Sequence, residues 1–286
     1  MTSSKITDAA KTWQLRSCQL NFENGPAIMG IVNVTPDSFS DGGEFLPVDR
    51  AVEHALRLED AGACILDIGG ESTRPYSSPV SVDQELSRVV PVLERLSSRV
   101  AIPISIDTSK AAVAQAAIDL GVEIINDITG LEGDPEMVAV AARSQVGVCA
   151  MHIRGTPQNM QDDPVYGDVV DEIYEYLKRR DHSLLAQGIA AQRICLDPGI
   201  GFGKTHTQNL HLLRNAQRFL KLQRPVLIGH SRKGFVGKLV GDQDRSRDAG
   251  TLGISLAMAD QGIQVLRVHD VAATVDALVC YRACKE

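Results

Sequence analysis

Arg74, Lys233, Arg267 and His269 each lie at or beyond the end of a short apolar run, before the next helix begins. Cations are unfavourable at helix N-termini, so capping does not account for them. As a set they suit a bound anion. A phosphate-type anion fits best, because Arg267 and His269 end the last apolar run and the next helix offers free backbone N–H groups. Asp107, Asn126 and Asp197 occupy the same kind of position. Carboxylates and amides facing a pocket accept paired N–H donors, such as the edge of a flat nitrogen heterocycle. A general acid/base pair of Asp107 and Asp197 stays open on these residues alone. Asp270 and Thr108 read as helix caps.

The elements that must position these groups follow from hydropathy. Apolar, β-branched-rich runs occur at Ala27–Val32, Cys64–Ile68, Ile102–Ile106, Val122–Ile125, Val146–Met151, Ile194–Leu196, Pro225–Ile228 and Ile263–Val268. Continuous apolar runs suit parallel strands covered on both faces. Helix-period segments lie between them. Leu86, Val89, Val90, Leu93 and Leu96 form one stripe, and Tyr166, Val169, Ile173, Leu177 and Leu184 mark a long helix. Gly62, Gly121, Gly188 and Gly262 fall where helices should stop. Eight strands alternating with helices predict an α/β fold, a single (β/α)8 TIM-type barrel, with an open doubly wound sheet as the alternative. All strand ends then share one face, the face on which barrels build active sites. Trp13–Glu23 reads as a short β-hairpin plugging the barrel bottom. The division is 1–20, the N-terminal segment and start of the hairpin, and 21–286, the barrel.

Composition removes other classes. With 286 residues, 44% hydrophobic and 23% charged, the chain can bury a full core. A net charge of −7 argues against general nucleic-acid binding. No run approaches a membrane span, and Met1 to Lys11 lacks the apolar core of a signal peptide, so a cytoplasmic protein is expected. The six cysteines form no C-x-x-C pair and read as buried free thiols. Gly199-Ile200-Gly201-Phe202-Gly203-Lys204-Thr205 looks like a phosphate loop but fails the P-loop spacing at Pro198. The histidines show no metal-cage spacing, whereas Mg²⁺ held partly by substrate phosphates needs few protein ligands. Asp41-Gly42-Gly43 reads as a turn able to fold over the site.

Ile31-Val32-Asn33-Val34-Thr35-Pro36-Asp37-Ser38-Phe39-Ser40-Asp41-Gly42-Gly43 and Asp67-Ile68-Gly69-Gly70-Glu71-Ser72-Thr73-Arg74-Pro75 resemble the two signatures of the dihydropteroate synthase family. Ser105-Ile106-Asp107-Thr108, Ile125-Asn126-Asp127, Met151-His152, Leu196-Asp197-Pro198-Gly199, Ser231-Arg232-Lys233 and Arg267-Val268-His269-Asp270 follow in the family's order, from about Asn21 to the C-terminus.

The resemblance implies a pterin-binding transferase of folate biosynthesis and target of sulfonamides. It would condense (7,8-dihydropterin-6-yl)methyl diphosphate with 4-aminobenzoate, giving 7,8-dihydropteroate and diphosphate. Diphosphate would leave first, and the aniline nitrogen would attack the resulting cation. The resemblance also implies the roles. Asp107, Asn126, Asp197 and Lys233 would bind the pterin, with Asp107, Lys233 and Asp41 catalytic. Thr73, Arg267 and His269 would hold the diphosphate, and Asn33 would reach it through Mg²⁺. Phe39, Arg74, Pro75 and Ser231 would form the aminobenzoate site. A homodimer is implied as well. This reading makes the acid/base pair less favoured. Two positions depart from the pattern: Tyr76 replaces the usual Gly, and His230 replaces the usual Met, Leu or Thr. The competing expectations are a methyltetrahydrofolate–corrinoid methyltransferase, which needs no diphosphate-binding cations, and a catalytically silent pterin-binding barrel.

Overall fold

A computed structural model describes residues 9–35 and 46–285. A hairpin, β1 (Thr12–Gln14) and β2 (Gln19–Asn21), precedes eight strands: β3 (Ala27–Asn33), β4 (Ile65–Gly69), β5 (Ile104–Asp107), β6 (Ile124–Asp127), β7 (Gly147–Met151), β8 (Ile194–Asp197), β9 (Leu227–Ile228) and β10 (Val265–Val268). The helices are α1 (Leu46–Asp60), α2 (Val82–Leu96), α3 (Ala111–Asp119), α4 (Met137–Ser144), α5 (Val169–Ala186), α6 (His206–Arg214), α7 (Gly234–Val240), α8 (Asp248–Asp260) and α9 (Val271–Ala283). All neighbours in the eight-stranded sheet are parallel, in the order β8-β7-β6-β5-β4-β3-β10-β9. A parallel bridge from Leu196 to Val226 joins its two ends, so the sheet closes as the predicted barrel.

Strand alternation divides the side chains between two cores. Ile28, Leu66, Ile68, Ile106, Ile125, Val148, Leu196, Ile228, Leu266 and Val268 pack with apolar residues of the helices in one large cluster. Met29, Ile65, Ile124, Cys149, Cys195, Leu227 and Val265 form a second cluster with Trp13 and Leu15 of the hairpin region. That cluster is the plug at the barrel bottom. The Trp13 indole N–H donates to the Arg193 carbonyl at 2.8 Å, which satisfies its one donor in the buried site.

Local rules hold at most helix ends. The four glycines predicted as helix stops all have left-handed φ. Ser81 and Gln84 form a reciprocal capping box on α2, and Asp270 accepts the Ala273 N–H on α9. Three expectations need correction. Tyr166 lies outside α5, which starts after Asp168 caps it, and its hydroxyl donates to the Gly203 carbonyl instead. Thr108 does not cap α3; the first free N–H of that helix, on Ala111, is taken by Asp134 at 2.8 Å. Only Cys149 and Cys195 are buried; Cys18 and Cys64 are half-buried, and Cys280 and Cys284 are exposed on and just after α9, although all six thiols are free as expected.

Candidate active site

Period-two alternation that buries the plug layer also points the last inward residue of each strand into the barrel mouth. Asp67 on β4, Asp107 on β5, Asn126 on β6, Asp197 on β8 and Arg267 on β10 meet there. Arg267 Nε donates to Asp67 Oδ2 at 2.6 Å, and its Nη2 donates to Asp107 Oδ2 at 2.6 Å. Asn126 Nδ2 donates to the same Asp67 oxygen at 3.1 Å. Asp67 is fully buried. Its Oδ1 has no partner among the described residues.

The charges shape one another. Burial raises the Asp107 pKa to about 7 against the pull of Arg267, and the Asp67, Glu85 and Asp127 carboxylates add to the rise. Burial also raises Asp197, opposed by the Gly199 N–H and by Lys233 and Lys204. For Arg267, burial opposes the charge, but Asp67 and Asp107 outweigh it and hold the guanidinium protonated. Burial lowers Lys233 to about 8, against the attraction of Asp197.

The glycine-rich run after β8 forms a tight turn against the β7 end. A Cβ on Gly199 would lie 1.9 Å from the His152 carbonyl oxygen, and its φ is +70°. Only glycine allows that approach. The buried Lys204 side-chain nitrogen fastens the turn, reaching the Phe202 carbonyl at 2.7 Å, His152 Nδ1 at 3.1 Å and the His152 carbonyl at 3.3 Å. Lys233 Nζ sits 4.5 Å from the centre of the Phe202 ring and donates to the Ile200 carbonyl. Thus the turn is a support for the Lys233 ammonium.

Beside it, Ser231 Oγ accepts the His269 backbone N–H at 3.2 Å and lies 2.9 Å from His269 Nδ1. Burial, then the nearby cations Arg267, Arg232, Arg74 and Lys233, lower His269 to about 4. It is therefore neutral at pH 7, not the cation that its position in sequence indicated. His230 is buried, with Nε2 3.1 Å from the Thr251 carbonyl. That oxygen only accepts, so Nε2 carries the proton. Burial lowers His230 to about 4, so it is a neutral buttress between β9 and α8.

Asn33 ends β3, and its Oδ1 lies toward Gly69. Thr73, Arg74 and Pro75 lie on the loop between β4 and α2. Among the described residues, no side-chain hydrogen bond joins Thr73 or Arg74 to the strand-end groups. Phe39, Asp41 and the glycine turn lie outside the described residues. Among the described residues, no group of three or more His, Cys, Asp or Glu is arranged to hold a metal. A cavity of about 390 Å³ lies elsewhere, against α5, and of the residues quoted for the motifs it is lined only by His152.

Sequence reasoning gave Asp67 no role. Its signal was available: a charge inside the apolar run Cys64–Ile68, two residues before Gly69 and in phase with it. Lys204 and Phe202 belong to the run that fails as a phosphate loop, yet Lys204 fastens the turn on which Phe202 lies beside Lys233.

The family profile described as "Pterin binding enzyme" matches residues 29–269, which spans every barrel strand but the first two residues of β3. The dihydropteroate synthase of Neisseria meningitidis serogroup C is 43% identical over 279 residues, covering 96% of this chain and 98% of that protein. The structure of the Xanthomonas albilineans dihydropteroate synthase with 4-aminobenzoic acid superposes with a TM-score of 0.89 at 44% identity, covering 96% and 98%. The same enzyme in complex with 7,8-dihydropteroate superposes with a TM-score of 0.86 at 42% identity, with the same coverage. A ring of polar strand ends in a closed barrel, over this extent of similarity, means that the chain belongs to the pterin-binding enzyme family, on its dihydropteroate synthase branch.

Proposed function

We infer that the chain is a transferase that condenses (7,8-dihydropterin-6-yl)methyl diphosphate with 4-aminobenzoate, releasing diphosphate and 7,8-dihydropteroate. The observation that carries this reading is Arg267 bridging Asp67 and Asp107 beside Asn126 and Asp197, in a member of that family.

We propose that the pterin ring donates its N–H groups to Asp107, Asn126 and Asp197, with Lys233 on a ring acceptor. Carboxylates accept such paired donors, and burial strengthens each bond. The carbon–oxygen bond of the methylene arm breaks, and its electron pair leaves on diphosphate. Thr73, His269 and the Arg267 donors not spent on Asp67 and Asp107 receive the diphosphate charge. The methylene cation is delocalised into the pterin and faces the Asp107 carboxylate, whose charge stabilises it. The aminobenzoate nitrogen then attacks the carbon and gives its extra proton to solvent. No protein nucleophile is required. Phe39, Arg74, Pro75 and Ser231 would orient the aminobenzoate, with Asp41 closing over it.

A Mg²⁺ ion fits the donor set in a limited way. One amide oxygen, that of Asn33, lies at a strand end in the mouth, which suits an ion held chiefly by diphosphate oxygens and water. Bound there, the ion would supply charge neutralisation to the leaving group. Six unpaired thiols suit a reducing cytoplasm. We propose that the chain forms a homodimer, with the adjacent exposed Leu239 and Val240 on α7 as candidate contacts.

Isotopic labelling tests the bond changes. Aminobenzoate labelled at nitrogen should give dihydropteroate that keeps the label at the bridge. An oxygen label in the carbon–oxygen bridge should leave entirely with diphosphate. Label retained in the pterin product would contradict the reading.

A further inference from the structure

Lys110 is an unusual residue for its place. It occupies the N-cap of α3 and makes no cap bond, and a cation there opposes the helix dipole. The capping bond comes from Asp134 on another loop. The Lys110 ammonium instead turns to α2 and to the loop before it. It donates to Glu71 and, at 2.6 Å, to Glu85 Oε2. Glu85 is fully buried, and its Oε1 has no partner among the described residues. Glu71 Oε1 accepts the Val80 N–H at 3.1 Å, spanning the loop from one end to the other. Arg88 donates to the Gly70 carbonyl at 2.7 Å. A Cβ on Gly70 would lie 2.7 Å from Val89 Cγ1, so the loop base is seated directly on α2.

We propose that Lys110 is a positioning residue: by bridging Glu71 and Glu85 it holds the loop that carries Thr73, Arg74 and Pro75 in register with the β5 end that carries Asp107. The inference rests on the function given above, because it assigns Arg74 and Pro75 of the loop to aminobenzoate and the strand end to pterin. Lys110 is three residues beyond Asp107 on the same segment. One ammonium therefore ties the two half-sites together without touching either substrate. Buried carboxylates demand this charge, since an unpaired one is strongly disfavoured.

The test compares Lys110→Met, Lys110→Arg and Glu71→Gln with the wild-type protein. Lys110→Met should raise the KM for aminobenzoate about tenfold, below the roughly hundredfold that a misplacement of orienting groups by about 1 Å costs. Affinity for a bare pterin lacking diphosphate, measured by calorimetry, should change less than about twofold, since uniform binding by the strand ends is intact. Lys110→Arg should recover most of the loss. Glu71→Gln breaks the same tie at a partly exposed carboxylate and should give the same split even if Lys110→Met folds poorly. Hydrogen exchange over residues 71–81 needs no substrate, and it should quicken in both variants while β5 stays protected. Unchanged loop exchange, or equal losses of aminobenzoate and bare-pterin binding, would overturn the proposal. Quickened exchange in a protein whose wild type makes no dihydropteroate would instead count against the function and leave the tie standing.

Discussion

Asp67 anchors Arg267 from the next strand but one around the barrel mouth: Nε donates to Oδ2 at 2.6 Å, and the carboxylate is fully buried. The bond fixes the guanidinium plane and leaves Nη1 without a hydrogen bond among the described residues. Arg267→Met would leave Asp67 as a buried, unpaired charge. It should lower stability by about 3–5 kcal/mol, the usual result of removing one partner of a buried pair. Arg267→Lys keeps the charge but loses the fork, and should lose turnover more than stability. Denaturant melts of both variants check this, and equal stability of Arg267→Met and wild type would refute it.

The pH dependence follows from two shifts. Asp107 is raised to about 7 by burial, so it takes a proton as pH falls through that value and loses its charge beside the cation. Lys233 is lowered to about 8 by burial, so it loses its charge as pH rises through that value. The free-enzyme kcat/KM profile should be a narrow bell with limbs near those two values. Asp107→Asn should remove the acid limb along with about a hundredfold of rate. A wild-type profile flat from pH 5 to 7 would contradict the assignment.

The same group affects stability with a definite sign. Native Asp107 binds a proton up to about pH 7, whereas an unfolded aspartate releases it near its model value of 3.8. The native state therefore holds more protons between these values, and stability should fall as pH rises through them. Melting temperatures of wild type and Asp107→Asn should converge at low pH and separate toward pH 7, with the variant the higher. A gap that runs the other way would refute the shift.

Tyr76 sits at φ +63°, a conformation that costs a non-glycine residue about 1 kcal/mol. Its N–H donates to the Pro157 carbonyl at 2.9 Å, and its hydroxyl donates to Asp162 at 3.1 Å. The loop before α2 is thereby clasped to the loop after β7. Tyr76→Gly should relieve the backbone, release the clasp and change sulfonamide inhibition more than pterin affinity. A sulfonamide inhibition constant unchanged in the variant removes any role in ligand selection.

Stability and chemistry are separated along the barrel axis. Trp13 fills the plug, fully buried and far in sequence from every strand end. Trp13→Ala should cost about 3–5 kcal/mol, as large core truncations do, while both KM values stay unchanged. A shifted KM at full folding would place the plug in the site's support.

The barrel was legible because its signals are local. Eight apolar runs, four glycine stops and polar strand ends each act within a few residues, and all matched. The motif residues Asp107, Asn126 and Asp197 are likewise at one mouth because β-alternation is regular. What sequence did not reveal depends on partners far along the chain. Asp67 and Arg267 are 200 residues apart, and Lys204 acts on His152, 52 residues earlier. The charge state of His269 reflects burial and four surrounding cations, which no spacing rule reports. Tyr166 continues the apolar stripe of α5, but Asp168 caps the helix after it, so periodicity overran the boundary by one turn.

The most direct measurement is diphosphate release by the purified protein, given dihydropterin diphosphate and Mg²⁺, with and without 4-aminobenzoate. Release should rise on adding aminobenzoate and match dihydropteroate formed mole for mole. Tight pterin binding without aminobenzoate-dependent release would contradict the synthase reading and return weight to a barrel that binds pterin for another purpose.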